Sequence, residues 1–302
     1  MPRLTRSLLA VPLALVLAAT PASAAVDRVD LVTGSMPEGI SAGPGSTFFA
    51  GARSDGAVYV GDAATGSLRT LVRGRSGEVA VGLLHDPVTQ RLWVAGGATG
   101  DVTAYDARTG KVLYEVSAGG GRFLNDVAIT RDAVYVTDSR RAELVVVPTP
   151  GGALPAKGTV RTLRVTGDYV QPSGFGLNGV RVLPSGELLV VSGGVLYAVD
   201  TATGVADRLE QSGRALTAGD GLVLDGSTLY VVNGYGGDEV AVLRLAPDGG
   251  STQAVGLLTD AELDRPTTGA LVGGDLYVVN GRFGTLATQP DAPVYVTRLS
   301  TK

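Results

Sequence analysis

The chain has 302 residues, of which 44 are glycine and none is cysteine. The lack of cysteine excludes disulfides, thiolate zinc sites and cysteine catalysis. The formal net charge is −4 and the basic residues form no cluster, which argues against nucleic acid and anionic membranes as partners.

The first 24 residues have the layout of a secretory signal peptide. Arg3 and Arg6 precede an apolar run at residues 8–19, and Ala22-Ser23-Ala24 follow it. This layout predicts cleavage near Ala24, and the run is shorter than the ~20 residues of a membrane span. Without the two arginines, 23 basic and 29 acidic residues leave a net charge of −6. We therefore expect residues 25–302 to be one secreted, extracellular, monomeric domain with no membrane contact.

Short apolar strands recur along the rest of the chain, roughly every 40–50 residues. Valine, leucine, threonine and tyrosine are frequent in them, and Gly-rich turns separate them, which is a composition typical of strands and turns. Six segments repeat the pattern: STFFAGA (46–52), RLWVAGG (91–97), AVYVTDS (133–139), ELLVVSG (187–193), TLYVVNG (228–234) and DLYVVNG (275–281). A short strand and a turn precede each segment, and further strands follow most of them.

Repeats of this length with about four strands each are typical of a β-propeller. One four-stranded blade cannot bury both of its faces, whereas six blades around an axis can. We predict an all-β, six-bladed propeller of four-stranded antiparallel blades, with residues 26–34 supplying the outer strand of the last blade beside residues 293–300. A β-sandwich and a β-helix are the alternatives, but a sandwich requires no repeat and a β-helix repeat is much shorter.

In a propeller, the first strand of each blade lines the central channel. The residues at the head of these strands are Glu38, Val81, Asn125, Asn178, Asp220 and Thr267. Four of the six carry a carboxylate or carboxamide: Glu38, Asn125, Asn178 and Asp220. An all-oxygen set of this kind suits Ca²⁺ better than a transition metal, although Zn²⁺, Mn²⁺ or Mg²⁺ can also bind it.

Two of these positions have a second interpretation. Asn178-Gly179 and Asp220-Gly221 are also common tight-turn pairs. A hairpin turn needs a strand on each side, however, and the segments before both pairs are poor strands. The shared register across the blades favours the channel position.

Several other residues could be functional but have simpler interpretations. His85 is expected at a turn or on the surface, and Trp93 in the core. Asp126 should point away from Asn125 because side chains alternate along a strand. Tyr235 and Arg282 follow strands and could line the rim of the channel.

Four short motifs resemble the regucalcin/gluconolactonase (senescence marker protein-like) family of six-bladed propellers. They are PEG at 37–39, LNDV at 124–127, LNGV at 177–180 and GDGL at 219–222. The resemblance implies Glu38, Asn178 and Asp220 as ligands of a divalent metal, and Asn125 as a further ligand or a substrate contact. The chain departs from gluconolactonase-like members at Phe123, where they commonly carry arginine.

The resemblance also implies a function, the metal-dependent hydrolysis of lactones or related esters of small-molecule size. In that chemistry the metal polarises the carbonyl group, and Asp220 would activate water or act as nucleophile while Asn125 contacts the substrate. A propeller that binds a ligand or partner protein without catalysis is the alternative. A metal-free enzyme similar to strictosidine synthase is a third possibility, against which the oxygen cluster argues.

Overall fold

The computed structural model describes residues 25–301, so the predicted signal peptide lies outside the described residues. Six sheets, each built on four antiparallel strands, follow one another along this part of the chain. Blade one contains β2 (Pro37–Ala42), β3 (Thr47–Ala52), β4 (Val58–Asp62) and β5 (Leu68–Val72). Blade two contains β6 (Leu83–Asp86), β7 (Arg91–Ala95), β8 (Asp101–Asp106) and β9 (Val112–Ser117). Blade three contains β10 (Leu124–Ile129), β11 (Ala133–Asp138), β12 (Glu143–Pro148) and β13 (Arg161–Arg164).

Blades four to six complete the ring. Blade four contains β15 (Val180–Val182), β16 (Leu188–Ser192), β17 (Val195–Val199) and β18 (Val205–Arg208). Blade five contains β20 (Leu222–Asp225), β21 (Thr228–Asn233), β22 (Glu239–Leu245) and β23 (Ser251–Thr259). Blade six contains β24 (Pro266–Val272), β25 (Asp275–Asn280), β26 (Tyr295–Leu299) and β1 (Arg28–Asp30). The described residues also contain a 3₁₀ turn, Pro150–Gly152, and one short helix, α1 (Phe283–Thr288). The six repeated segments form the second strand of their blades, which confirms the six-bladed propeller.

The N-terminal strand closes the ring, as predicted. Strand β1 pairs antiparallel with β26, with Val29 opposite Val296. The Leu31 amide continues the ladder by donating to the Val294 carbonyl oxygen at 2.8 Å. The last blade is therefore built from both ends of the described chain.

Two blades carry a short extra strand that the sequence pattern did not predict. Strand β14 (Thr166–Gly167) runs parallel to β18, and β19 (Glu210–Ser212) runs parallel to β23. Both belong to the connections between blades. Each covers backbone groups on an outer strand that would otherwise be an open sheet edge.

The hydrophobic core lies between the blades. Six clusters of buried side chains each join two neighbouring blades, which accounts for every junction of the ring. Trp93 is 1% exposed in the cluster between blades two and three, as predicted. At the closing junction, buried Tyr277 stacks on Phe48 with ring centroids 6.2 Å apart. Fully burying one large apolar side chain contributes about 1.5–3 kcal/mol, so these junctions hold the ring together.

Candidate functional site

The six head residues occupy equivalent positions around the central axis of the ring, in the region that we call the hub. In blade four, the Asn178 amide donates to the Val191 carbonyl at 2.9 Å, and the Val191 amide donates to the Gly179 carbonyl at 3.0 Å. The equivalent first bonds join Val81 to Ala95 at 2.9 Å and Asp220 to Val232 at 2.8 Å. These bonds give the three blades one common register.

In the other three blades, the head residue lies at an irregularity of the first strand. The pairing register shifts between Pro37 and Ile40, between Leu124 and Val127, and between Pro266 and Gly269. These intervals contain Glu38, Asn125 and Thr267 respectively. A bulge re-aims a side chain locally, and here each bulge falls at a residue that lines the hub.

The glycines that follow the head residues are packing residues and not turn residues. A Cβ atom on Gly82 would lie 2.0 Å from the Asn125 carbonyl oxygen, and one on Gly179 would lie 2.5 Å from that of Asp220. Neither glycine has a positive φ. The turn interpretation of Asn178-Gly179 is therefore wrong, because glycine is required here by the close approach of the next blade.

Hydrogen bonds between neighbouring blades fix the backbone of the head residues. Thr267 Oγ1 donates to the Glu38 carbonyl oxygen at 2.6 Å, and the Gly221 amide donates to the Thr267 carbonyl oxygen at 2.7 Å. The Gly179 amide donates to the Asp220 carbonyl oxygen at 2.9 Å, and Thr137 Oγ1 donates to the Asn178 carbonyl oxygen at 2.8 Å. Each head residue in this set is held by a blade other than its own. The arrangement makes the hub a rigid frame for the side chains it presents.

The four predicted site residues lie together. Glu38, Asn125, Asn178 and Asp220 all line a cavity of about 520 Å³ at the channel mouth. The same four residues line a smaller recess of about 10 Å³ at the hub. A space of ~10–15 Å³ holds one water-sized sphere, so the recess matches a single small ion.

The two carboxylates of the site are buried close to each other. Burial raises the pKa of Asp220 well above its ordinary value, and the charge of Glu38 raises it further, while a hydrogen bond from Asn178 opposes the shift. Burial also raises the pKa of Glu38, against the opposing effect of Arg53, whose guanidinium lies 3.4 Å from the Glu38 carboxylate. Two buried carboxylates that share one arginine form a site where a divalent cation would offset the repulsion.

The amide of Asn125 is held by a hydrogen-bond chain. Its Nδ2 donates to Ser139 Oγ at 3.0 Å, and that hydroxyl donates to the Leu177 carbonyl oxygen at 2.6 Å. This orientation leaves the amide oxygen for the cavity. Hard oxygen donors from two carboxylates and an amide fit a Ca²⁺-type ion.

Asp126 has the structural role that we expected, but it does not point away from the hub. Its carboxylate accepts hydrogen bonds from the Val180 amide at 3.0 Å and from Arg181 at 2.8 Å, and so ties blade three to blade four. It also lines the small recess, and its charge raises the pKa of Glu38 and Asp220. The bulge in β10 explains why simple alternation fails here.

Two other expectations need correction. His85 lies buried within β6 with its ring 5.3 Å from that of Phe49, and burial lowers its pKa. Arg282 does not line the cavity, since it pairs with Asp264 at 2.9 Å and stacks over Tyr295. Tyr235, by contrast, does line the mouth.

Sequence reasoning missed most of the cavity wall. Phe123, Phe175, Phe283 and Arg53 line the cavity with Tyr235. Phe123 was noted only as a departure from a motif, and the others lie in connections that no repeat aligns. Their positions depend on how the loops fold over the hub.

A cation at this site would need amide as well as carboxylate ligands. Within residues 25–301, no group of three or more His, Cys, Asp or Glu side chains is placed to hold a metal ion.

In the same part of the chain, no helix has both the length and the apolar character that a membrane-spanning helix needs.

The fold and the hub define a six-bladed β-propeller with an acidic, oxygen-lined axial cavity. No family model matches the chain, and a search of curated proteins finds no match. Its fold is similar to that of solved propeller structures. The allergen Mala s 1 of Malassezia sympodialis aligns with a TM-score of 0.70 at 18% identity, over 92% of this chain and 97% of that chain.

Two further structures are similar over nearly the whole described chain. Regucalcin from Agrobacterium tumefaciens, described as a calcium-binding protein, aligns with a TM-score of 0.61 at 18% identity, over 92% of this chain and 96% of that chain. Virginiamycin B lyase from Staphylococcus aureus aligns with a TM-score of 0.56 at 11% identity, over 91% of this chain and 98% of that chain. At these identities the similarity establishes the fold alone.

Proposed function

We propose that this chain is a secreted, divalent-cation-dependent hydrolase of lactones or related esters. Glu38, Asn178 and Asp220 would hold the cation, which is most simply Ca²⁺, and Asn125 would be a further ligand or a substrate contact. The observation that carries the proposal is the convergence of these four side chains on a recess of about 10 Å³ beneath a cavity of about 520 Å³. A regucalcin described as calcium-binding shares the fold, which is consistent with this choice of ion.

The side chains of the hub match the chemistry of ester hydrolysis. A bound cation would polarise the substrate carbonyl as a Lewis acid. Asp220 is suited to accept a proton, because its carboxylate lines the cavity where the substrate carbonyl and the attacking water would lie. A hydrogen bond from Asn178 favours the ionised form of Asp220.

The reaction balances with water as the only co-reactant. The water oxygen bonds to the carbonyl carbon while Asp220 takes one of its protons. The carbon–oxygen bond to the leaving group then breaks, and the leaving oxygen takes that proton. A lactone gives a hydroxy acid, and an ester gives an acid and an alcohol.

Turnover by the Asp220→Asn variant tests the proposal. The protein without its first 24 residues is assayed with a panel of lactones and aryl esters, in calcium and in chelator. Loss of the proton acceptor should lower kcat by about 10²–10⁴-fold. The exposed acid Glu115 supplies the matched control, since Glu115 does not line the cavity and Glu115→Gln should leave turnover unchanged.

The results separate the proposal from a non-catalytic binding role. Undiminished turnover in Asp220→Asn would contradict the role of Asp220. Thermal stabilisation by calcium with no turnover of any substrate would favour a propeller that binds a ligand or partner protein.

A further inference from the structure

The wall of the cavity is aromatic on two separate sides of the mouth. Phe123 and Phe175, from the junction of blades three and four, contact each other edge to face with centroids 4.8 Å apart. Tyr235 and Phe283, from blades five and six, stack with centroids 5.9 Å apart. All four rings line the same cavity as Glu38 and Asp220.

Two of these rings are held out towards solvent. Phe175 is 58% exposed and Tyr235 is 61% exposed, although both are large aromatic side chains. The loop carrying Phe175 is anchored, because the Gly176 amide donates to the Ser139 carbonyl at 2.7 Å. Exposed rings on an anchored loop beside a polar cavity are typical of a ligand-binding surface.

Positive charges beside the rings disfavour a cationic ligand. Arg53 lies over Phe283 at 4.8 Å, Arg265 over Tyr235 at 5.4 Å, and Arg140 over Phe123 at 5.9 Å. An aromatic site for a cationic ligand offers its ring faces to that ligand. Here the positive charge of three arginines beside the rings would repel a cationic ligand.

The polar groups of the cavity lie at its floor. Glu38, Asn125, Asn178 and Asp220 surround the small recess, whereas the walls present four aromatic rings and one charged side chain, Arg53. A ligand with hydroxyl groups on every side would leave many of them without partners against such walls. A ligand with one polar end and one flat apolar end would satisfy both surfaces. The volume, about 520 Å³, also falls within the ~300–1,000 Å³ typical of pockets for drug-sized molecules.

We infer that the cavity selects aryl esters or aryl-substituted lactones, with the carbonyl at the floor and the aromatic group against the rings of Phe175 and Tyr235. This inference rests on the proposed function for the reaction, but not for the binding. Phe123 agrees with this inference, because gluconolactonase-like proteins commonly carry arginine at that position. Neighbouring Arg122 is buried and pairs with Asp138 at 2.9 Å and Glu143 at 2.7 Å, so it offers no charge to a polar substrate.

Binding of a non-hydrolysable probe tests the aryl pocket separately from catalysis. The probe is methyl naphthyl ketone, measured by calorimetry or ligand-detected NMR. Phe175→Ala and Tyr235→Ala should each weaken its binding roughly three- to tenfold, which is the range expected for one aromatic contact. Tyr235→Phe keeps the ring and should bind within about twofold of the unaltered protein. Val88→Ala is the control, because Val88 is 89% exposed and does not line the cavity.

Kinetics with two substrates complete the test. KM for naphthyl acetate should rise in both alanine variants with kcat little changed, while the kinetics for gluconolactone should not respond. No binding of the ketone, or binding that both alanine variants leave unchanged, would overturn the aryl pocket even if gluconolactone is hydrolysed. Ketone binding that the variants weaken, with no turnover of any ester or lactone, would support the pocket and contradict the hydrolase.

Discussion

Glu38 and Asp220 are the two charged residues whose placement most needs explanation. Each is 8% exposed, and each lies near the negative charge of Asp126 as well as that of the other. Removing carboxylates from water is unfavourable unless opposite charge compensates. Arg53 pairs with Glu38 at 3.4 Å, and its charge has a smaller effect on Asp220. The buried carboxylates therefore make the hub electronegative, as the proposed cation site requires.

The hub glycines make a prediction about single residues. Gly82→Ala would place a Cβ atom 2.0 Å from the backbone oxygen of Asn125, which cannot move without disturbing blade three. Overpacking of this kind should lower the free energy of unfolding by about 1–3 kcal/mol. Urea denaturation measures the change.

The control for this variant is Gly120→Ala. Gly120 has no atom within 4 Å of a built Cβ and no positive φ, so alanine is compatible with its backbone. Its stability should change by no more than ~0.5 kcal/mol. Equal stability of the two variants would restore the interpretation of the hub glycines as ordinary turn residues.

Among the elements, β1 carries the closure of the ring. Arg28 faces Thr297 across the β1–β26 ladder, and directly opposite residues in antiparallel strands have Cα atoms ~4.5–5.5 Å apart, within reach of a disulfide. Because the chain has no cysteine, the double variant Arg28→Cys, Thr297→Cys has a single possible pairing. The bond should raise the free energy of unfolding by about 2–4 kcal/mol, and reduction should remove the gain.

Thiol titration and denaturation under oxidising and reducing conditions check this closure. The reduced double variant serves as its own control, since it carries both substitutions without the bond. Two thiols that stay free under oxidising conditions would show that β1 does not pair with β26.

The strands also show which features of the fold can be predicted from the sequence. The second strands were predictable because their apolar segments repeat and each must be buried on both faces. The bulges at Glu38, Asn125 and Thr267 were not, because a bulge changes strand pairing without changing the pattern of residue types. The head positions were still identified, since they follow from counting back along each repeat. Asp126 was misplaced for the same reason, because alternation fails at a bulge.

At the scale of the whole molecule, the ring was predictable and the mouth of the cavity was not. Six repeats specify six blades, and their equivalent heads specify one hub. Phe175 and Phe283 belong to connections that differ from blade to blade, so no periodic pattern locates them. Loops of this kind set ligand preference in many folds, and the floor of the cavity was therefore easier to predict than its walls.

Calcium binding by titration calorimetry is the most direct test of the central claim, that Glu38, Asn178 and Asp220 hold one divalent cation at the hub. We expect one calcium ion per chain, and a gain of about 2.7 kcal/mol in unfolding free energy at a concentration one hundred times the Kd. Glu38→Gln and Asp220→Asn should each abolish or greatly weaken binding, whereas Glu115→Gln should bind normally. Absence of calcium binding in the unaltered protein, or binding that neither hub variant changes, would contradict the account.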